Sequence, residues 1–579
     1  MEAEKQVALR RALEALEQEG TLDRPSEEPM GTGVQRSYIQ LTVCTEAQPD
    51  LPFNRLEFSL RPGLPIIELS GLPSGRSKGL ILRVVAALKS AGFRLARRRI
   101  SISLQRAPGP GDLDLLDLPL ALGLLHLSGA LVLPSGLLVA GRVHLDGSLV
   151  AGPEILALLL RNRRWRLPML LGLGAAEQVH YPRELRSLNH LKEIRGLRDL
   201  GTLGHFATED FYMREDLAER LLRLDGALAA SSQEADFAGT AGRGRGLGSL
   251  RREAERGLLE LPRQSLGFLA VRAAALGGHH LLMVGSPGCG KSSLAELLER
   301  LVPPAGAERL LERWELHCLA GRSLAAARTG QGPCIYPNSS PAQLLGRRGG
   351  LGLLSLAHGG LLRCEEVPQF SRRLLFLLQE AMDEGRVTAS AGAGAWPSRF
   401  QLVALANPCS CGRYYEQQPA CSCPLGSPSI WTRRIPSSFL DRLDLRLILR
   451  SPQTEDFGQL GAAATRCVDL ESLRSDLERI RLWQAETWFP AEARRAGQTT
   501  ADLARTGEQR SFSLSPEALQ LAESEAQQRG LSLRSYRLLL GVARSLADLD
   551  CKRVVGLTQM ACALQFVPGR EGRVTGCGQ

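Results

Sequence analysis

This 579-residue chain has no apolar run that reaches the roughly 18 residues needed to cross a bilayer. Its opening, Met1-Glu2-Ala3-Glu4-Lys5, lacks the charged-then-apolar shape of a secretory leader. A cytoplasmic location with no membrane partner is therefore expected. In that compartment the 13 cysteines are expected as thiols or metal ligands rather than disulfides. Lysine is scarce, and nearly all of the 71 basic residues are Arg, against 61 acidic ones. The net charge of +10 and isoelectric point near 9.1 permit a nucleic-acid partner, although an Arg-, Ala-, Leu- and Gly-rich composition accounts for the excess equally well. A hydrophobic content of 44% and a charged content of 23% are those of a soluble globular protein, and the length suggests about three or four domains.

One stretch carries chemistry outright. Gly285-Ser286-Pro287-Gly288-Cys289-Gly290-Lys291-Ser292-Ser293 fits the phosphate-loop pattern G-x-x-x-x-G-K-S/T in full. An apolar run over 280–284 precedes it as a buried strand, and helical spacing follows from 293. Glycines let backbone amides close on a phosphate, and the helix N-terminus adds a favourable dipole. Lys291 is expected on the β- and γ-phosphates and Ser292 on Mg²⁺.

The flanking texture is mixed. Residues 1–36 read as an accessory segment with a charged helical start and a turn-rich end. Over 37–225 the pattern is α/β, with strands at 38–43 and 100–104 and helices at 80–91 and 116–127. Residues 226–262, with Gly242-Arg243-Gly244-Arg245-Gly246, read as a Gly/Arg-rich linker. Residues 263–455 hold the phosphate loop. Residues 456–579 are mainly helical, with amphipathic stretches at 470–483 and 516–529.

In the first of these segments, Pro62-Gly63-Leu64-Pro65, Ser70-Gly71-Leu72-Pro73, Asp117-Leu118-Pro119-Leu120-Ala121 and Gly141-Arg142-Val143-His144-Leu145-Asp146-Gly147-Ser148-Leu149 occur in order. They resemble the Lon-protease-like N-terminal domain of the ComM/YifB-type, magnesium-chelatase-like AAA+ ATPases. The resemblance implies an α/β fold: a P-loop AAA+ core with a helical lid, preceded by that α+β domain. Leu120 stands where Lon has its nucleophilic Ser, and 141–170 contain no Lys. Peptide hydrolysis is not expected from such a pair.

The same resemblance assigns roles downstream. Glu365 would help hold Mg²⁺ and Glu366 would polarise the attacking water, although Glu replaces the usual Asp at 365 and Arg363 interrupts an apolar strand. By the same resemblance Asn407 would end the sensor-1 strand, Arg442 would be an arginine finger that reaches the nucleotide of a neighbouring subunit, and Arg534 would be the sensor-2 arginine. The family's Pro-Phe-Arg-x-Pro-His-His run is replaced by Pro333-Cys334-Ile335-Tyr336-Pro337-Asn338-Ser339-Ser340. The hairpin over 385–399 has Trp396 as its lone aromatic, with Arg386 and Arg399 at its base. Cys409, Cys411, Cys421 and Cys423 have C-x-C spacing, which leaves two readings: a structural Zn²⁺ site, or free thiols in a loop.

Together these features imply ATP and Mg²⁺ as ligands and a homo-hexameric ring. They also imply ATP-driven DNA branch migration or helicase work in natural transformation and recombination. A chelatase-like motor acting on a remodelling partner protein, and an ATP-binding scaffold with weak hydrolysis, are the alternatives.

Overall fold

The computed structural model describes 37–44, 53–106, 112–131, 133, 138–150, 155, 157–158, 160–161, 169–172, 194–197 and 200. It resumes at 265–303, 306–320, 332–346, 351–388, 395–416, 420–424, 434–450, 470–495, 498–508 and 512–567. The accessory segment at 1–36 and the linker at 226–262 lie outside the described residues. The chain divides into two compact units, Met1–Ala238 and Gly239–Gln579.

The first unit is built on β1 (Tyr38–Cys44), β2 (Phe53–Arg61), β3 (Ile67–Ser70), β4 (Arg99–Leu104) and β5 (Leu138–Ala140). A small hairpin, β6 (Arg142–Val143) and β7 (Leu149–Val150), follows, then β8 (Met169–Gly172) and β9 (Ile194–Leu197). Seven of these strands form one sheet in the order β3-β4-β2-β1-β5-β8-β9. It is antiparallel at β1–β2 and β2–β4, and parallel elsewhere. Alternation explains β2: Asn54, Leu56 and Phe58 are buried while their neighbours are half-exposed.

Helix α1 (Ser74–Ser90) and helix α2 (Asp117–Leu127) accompany this sheet. Every residue of α2 is buried, Leu120 among them. The buried Asp117 is satisfied at the start of α2 by Arg83 at 2.7 Å and by the backbone N–H of Val143 at 3.1 Å. Gly123 has to be glycine, since a Cβ there would stand 2.2 Å from the Phe58 ring.

The second unit holds a five-stranded, fully parallel sheet: β10 (Leu281–Gly285), β11 (Cys334–Ile335), β12 (Leu361–Cys364), β15 (Gln401–Ala406) and β16 (Leu445–Leu449), ordered β11-β12-β15-β10-β16. The antiparallel hairpin β13 (Arg386–Thr388) and β14 (Ala395–Pro397) precedes β15. Strands β10 and β15 are buried at every residue, as a doubly covered parallel sheet requires. Around them lie α3 (Ser265–Gly277), α4 (Lys291–Leu301), α5 (Ala307–Leu319) and α6 (Arg372–Glu384).

The C-terminal helices are α7 (Leu470–Thr487), α8 (Thr500–Thr506), α9 (Pro516–Gln528), α10 (Leu533–Leu549) and α11 (Leu557–Phe566). Helix α10 starts at Leu533, where Ser532 caps it by accepting the Ser535 N–H at 3.1 Å. These helices share one apolar core with α3 and α4, through Leu477, Ile480, Leu539, Val542 and Ala543 against Ala270 and Ala274. The approach is close enough that a Cβ on Gly277 would fall 2.3 Å from Ser545 Oγ.

Candidate nucleotide site

Strand β10 ends in Gly285, and the next five residues turn into α4, whose first residue is Lys291. Gly288 and Gly290 adopt φ of 82° and 92°, left-handed values that a side chain disfavours. A Cβ on Gly288 would meet nothing within 4 Å, so the crown of the loop faces open space. Lys291 Nζ bridges back to the carbonyls of Gly285 at 2.7 Å and Ser286 at 2.8 Å, which stretches it across its own loop. Ser292 is exposed at the helix start and Ser293 is half-buried.

Two neighbouring parallel strands bring the partners. Strand β12 delivers Glu365 and Glu366 at its C-terminal end, and β15 delivers Asn407 beside them. Asn407 Nδ2 donates to Glu366 Oε1 at 2.6 Å. Glu366 sits at φ 54°, one of two non-glycine residues in the left-handed region among those described. Its other carboxylate oxygen, Oε2, is buried with no hydrogen-bond partner among the described residues. Burial raises the Glu366 pKa above the ordinary carboxylate value; Lys291 opposes the rise and Glu365 adds to it. A buried, unsatisfied acceptor beside an open glycine loop fits a missing polar guest such as water next to a phosphate.

Arg363, unexpected in an apolar strand, is not left unpaired. Its guanidinium lies 3.2 Å from Glu365 and 3.5 Å from Glu299 on α4. Glu365 is thus already engaged by a cation, which the sequence pattern did not reveal. Glu416 was also missed: it accepts from Ser286 Oγ of the phosphate loop at 2.5 Å. Its position between the two cysteine pairs was the available signal.

The two arginines lie elsewhere. Strands β10 and β16 run in parallel with Leu281 opposite Leu445 and Gly285 opposite Leu449. Arg442 precedes β16, so it stands at the opposite end of the sheet from Lys291, with a strand of roughly 16 Å between the two ends. There it grips Asp383, near the end of α6, with Nε at 2.9 and 3.0 Å from the two carboxylate oxygens. Arg534, at the start of α10, donates to the same carboxylate at 3.0 Å. Burial pulls the Asp383 pKa upward, but these two arginines outweigh it and hold it below the ordinary value. Asp383 carried no sequence signal. A cavity of about 500 Å³ opens at this same end, lined in part by His280, Asp383, Arg399 and Arg505.

Of the remaining expected residues, the four cysteines cluster, with their sulfurs all within 4.8 Å of one another. Trp396 packs into the core with Val387, so the described part of the hairpin presents no aromatic face.

A parallel sheet with a glycine phosphate loop after β10, an acidic pair after β12 and an Asn after β15 defines an α/β P-loop unit of the AAA+ class. Comparison with known families agrees in three blocks: magnesium chelatase, subunit ChlI, matches 258–457; subunit ChlI of Mg-chelatase matches 56–170; and the ChlI C-terminal region matches 479–567. The chain is 29% identical to the uncharacterized protein Rv2897c of Mycobacterium tuberculosis, covering 88% of this chain and 95% of that one. It is 26% identical to YifB of Escherichia coli (88% and 93%) and 26% identical to the competence protein ComM of Haemophilus influenzae (89% and 94%). The chain belongs to the ComM/YifB-type, magnesium-chelatase-like AAA+ family. No helix among the described residues is long and apolar enough to cross a membrane.

Proposed function

We propose that this protein is an ATP-hydrolysing ring subunit that does mechanical work on DNA strands. The observation that carries the reading is the division of charged groups between the two ends of one sheet. Lys291, Glu366 and Asn407 gather at one end, while Arg442 and Arg534 stand at the other. A single copy therefore holds half of a phosphoryl-transfer site at each end, and stacking copies around a ring, expected as a hexamer, completes each site.

ATP with Mg²⁺ would supply the transferable phosphoryl group and the charge that bridges its oxygens. Lys291 and the amides of Gly285, Ser286, Pro287, Gly288, Cys289 and Gly290 would hold the phosphates. Ser292 and Glu365 would hold the metal, with Glu365 exchanging its ion pair to Arg363 for that role. Asn407 keeps Glu366 oriented, and the unsatisfied Oε2 is the atom that would accept a proton from water. Arg442 and Arg534 would reach the next copy's nucleotide once Asp383 releases them.

DNA as the substrate rests on the likeness to a competence protein and on the basic balance of the chain. The first unit, Lon-like by its motifs, has Leu120 sealed inside α2 and would serve assembly or partner binding rather than proteolysis.

Steady-state ATPase measured with and without single-stranded and branched DNA tests this reading, using wild type, Lys291→Ala and Glu366→Gln. DNA-stimulated turnover, lowered about 10²-fold or more in both variants, is the expected outcome. Turnover stimulated only by a protein partner would move the chain to a protein-remodelling motor. Wild-type turnover no greater than that of Lys291→Ala would reduce it to a nucleotide-binding scaffold.

A further inference from the structure

Between Asn407 and the helical turn Ser437–Leu440, the described residues bring four thiols together. Cys409 and Cys411 Sγ lie 3.3 Å apart, Cys409 and Cys421 3.7 Å, and Cys411 and Cys421 3.5 Å. Cys423 completes the group within the same 4.8 Å limit, and all four are free of disulfides. Zinc held by four sulfurs at about 2.3 Å places neighbouring sulfurs about 3.8 Å apart, so the cluster is already close to a tetrahedral shell. Soft thiolates in that shape select Zn²⁺ over the oxygen-seeking cations that accompany nucleotides.

The loop is also fastened to the phosphate loop. Gly412 closes the first cysteine pair, donating its N–H to the Cys409 carbonyl at 3.0 Å from a left-handed φ of 78°. A Cβ at this position would stand 2.5 Å from Pro287 Cδ, so the turn lies directly on the phosphate loop. Four residues on, Glu416 takes the hydrogen bond of Ser286 Oγ. On the other side, Cys409 is buried only two residues beyond Asn407, the partner of Glu366.

We propose that Cys409, Cys411, Cys421 and Cys423 hold one structural Zn²⁺ ion, and that this ion braces the phosphate loop through Gly412 and Glu416. With the metal bound, the turn at Gly412 and the carboxylate at Glu416 become fixed points against which Pro287 and Ser286 rest. The metal takes no part in phosphoryl transfer. Its effect is to keep the cradle open in the shape that a phosphate needs.

The bracing half of this proposal rests on the nucleotide-binding reading, while the zinc half does not, and the experiment separates them. Full-length protein from zinc-supplemented growth is assayed for metal and for affinity towards a fluorescent ATP analogue. About one zinc per chain is expected in wild type, and none in Cys421→Ser/Cys423→Ser. Stripping the wild-type protein with an organomercurial and chelator should weaken analogue binding on the order of tenfold, and ZnCl₂ should restore it after thiol reduction. Reversal on the unmutated chain guards against a variant that merely fails to fold. Glu416→Ala should keep its zinc yet lose several-fold in affinity, which links the metal to the loop. Wild type without zinc overturns the site, and stripped protein that binds the analogue as before overturns the brace. If Lys291→Ala binds as tightly as wild type, the nucleotide reading and the brace fall together while the zinc count stands.

Discussion

The two ends of the five-stranded sheet in the second unit are made in different ways. The end bearing Lys291 is assembled from residues that follow their strands directly: 286–293 after β10, 365–366 after β12, and Asn407 after β15. The opposite end is a buried polar knot drawn from distant segments. Asp444 accepts from the His280 backbone at 2.9 Å and from Arg505 at 2.6 Å, and lies 3.3 Å from His279 Nδ1. His279 reaches Ser545 on α10 at 2.8 Å, and His280 accepts the Leu402 N–H at 3.0 Å. The first end is open and partly unsatisfied, as a binding site must be. The second is closed at this knot, which welds α8 and α10 to the sheet beside the cavity of about 500 Å³, although Asp444 Oδ1 and Arg505 Nε find no hydrogen bond among the described residues. The helical region therefore braces the sheet at the end away from its own phosphate loop, and it carries Arg534 to that end.

The sharpest way to break this comparison is to mix chains. Lys291→Ala and Arg442→Ala should each lower ATP turnover by about 10³-fold, the first through lost binding and the second with binding intact. Co-assembled in equal amounts, the two variants should recover a measurable fraction of activity, because one supplies the loop and the other the arginine. Steady-state assays of the mixture that show no recovery would mean the two ends do not meet between copies.

A smaller effect is expected from loosening the closed end. Asp444→Asn leaves Arg505 and His279 without their shared anion and should cost about 3 kcal/mol in denaturant unfolding, without altering the fold at the phosphate loop. A loss below about 0.5 kcal/mol would show that the knot is not a weld.

Much of the open end was legible because its chemistry is local in the chain: a contiguous motif, and strand ends whose residues point the same way. What was not legible there was the partner of Arg363, since Glu299 lies 64 residues earlier on another helix. The closed end was not legible at all. The bonds from His279 join residues 165 and 266 positions apart, and no periodicity or spacing pairs them. Asp383 shows the same limit, since a carboxylate at the end of an amphipathic helix looks like any solvated charge until two distant arginines close on it.

The smallest expected effect is in acid. Burial depresses the His280 pKa to about 3, so the ring stays neutral in the fold while the unfolded chain takes up a proton below about 6.5. Between those values the unfolded state binds more protons, so stability should fall by up to about 1.4 kcal/mol per unit of acidification. Asp444 acts lower: burial alone would raise its pKa, but Arg505 and His279 hold it down, so its contribution fades only below the ordinary carboxylate range. Denaturant midpoints of wild type and His280→Gln from pH 7 to 4.5 would separate the two, the variant losing its share of the slope and keeping that of His358, whose burial also lowers its pKa, while Asp444 stays charged in both states.

The left-handed backbone of Glu366 has a consequence for stability. Glycine or asparagine would occupy that φ at lower cost, by roughly 1 kcal/mol. Either would relax the turn and remove the carboxylate in one step. A glutamate held there works against its own backbone, so the carboxylate at this strand end is kept at a cost in stability.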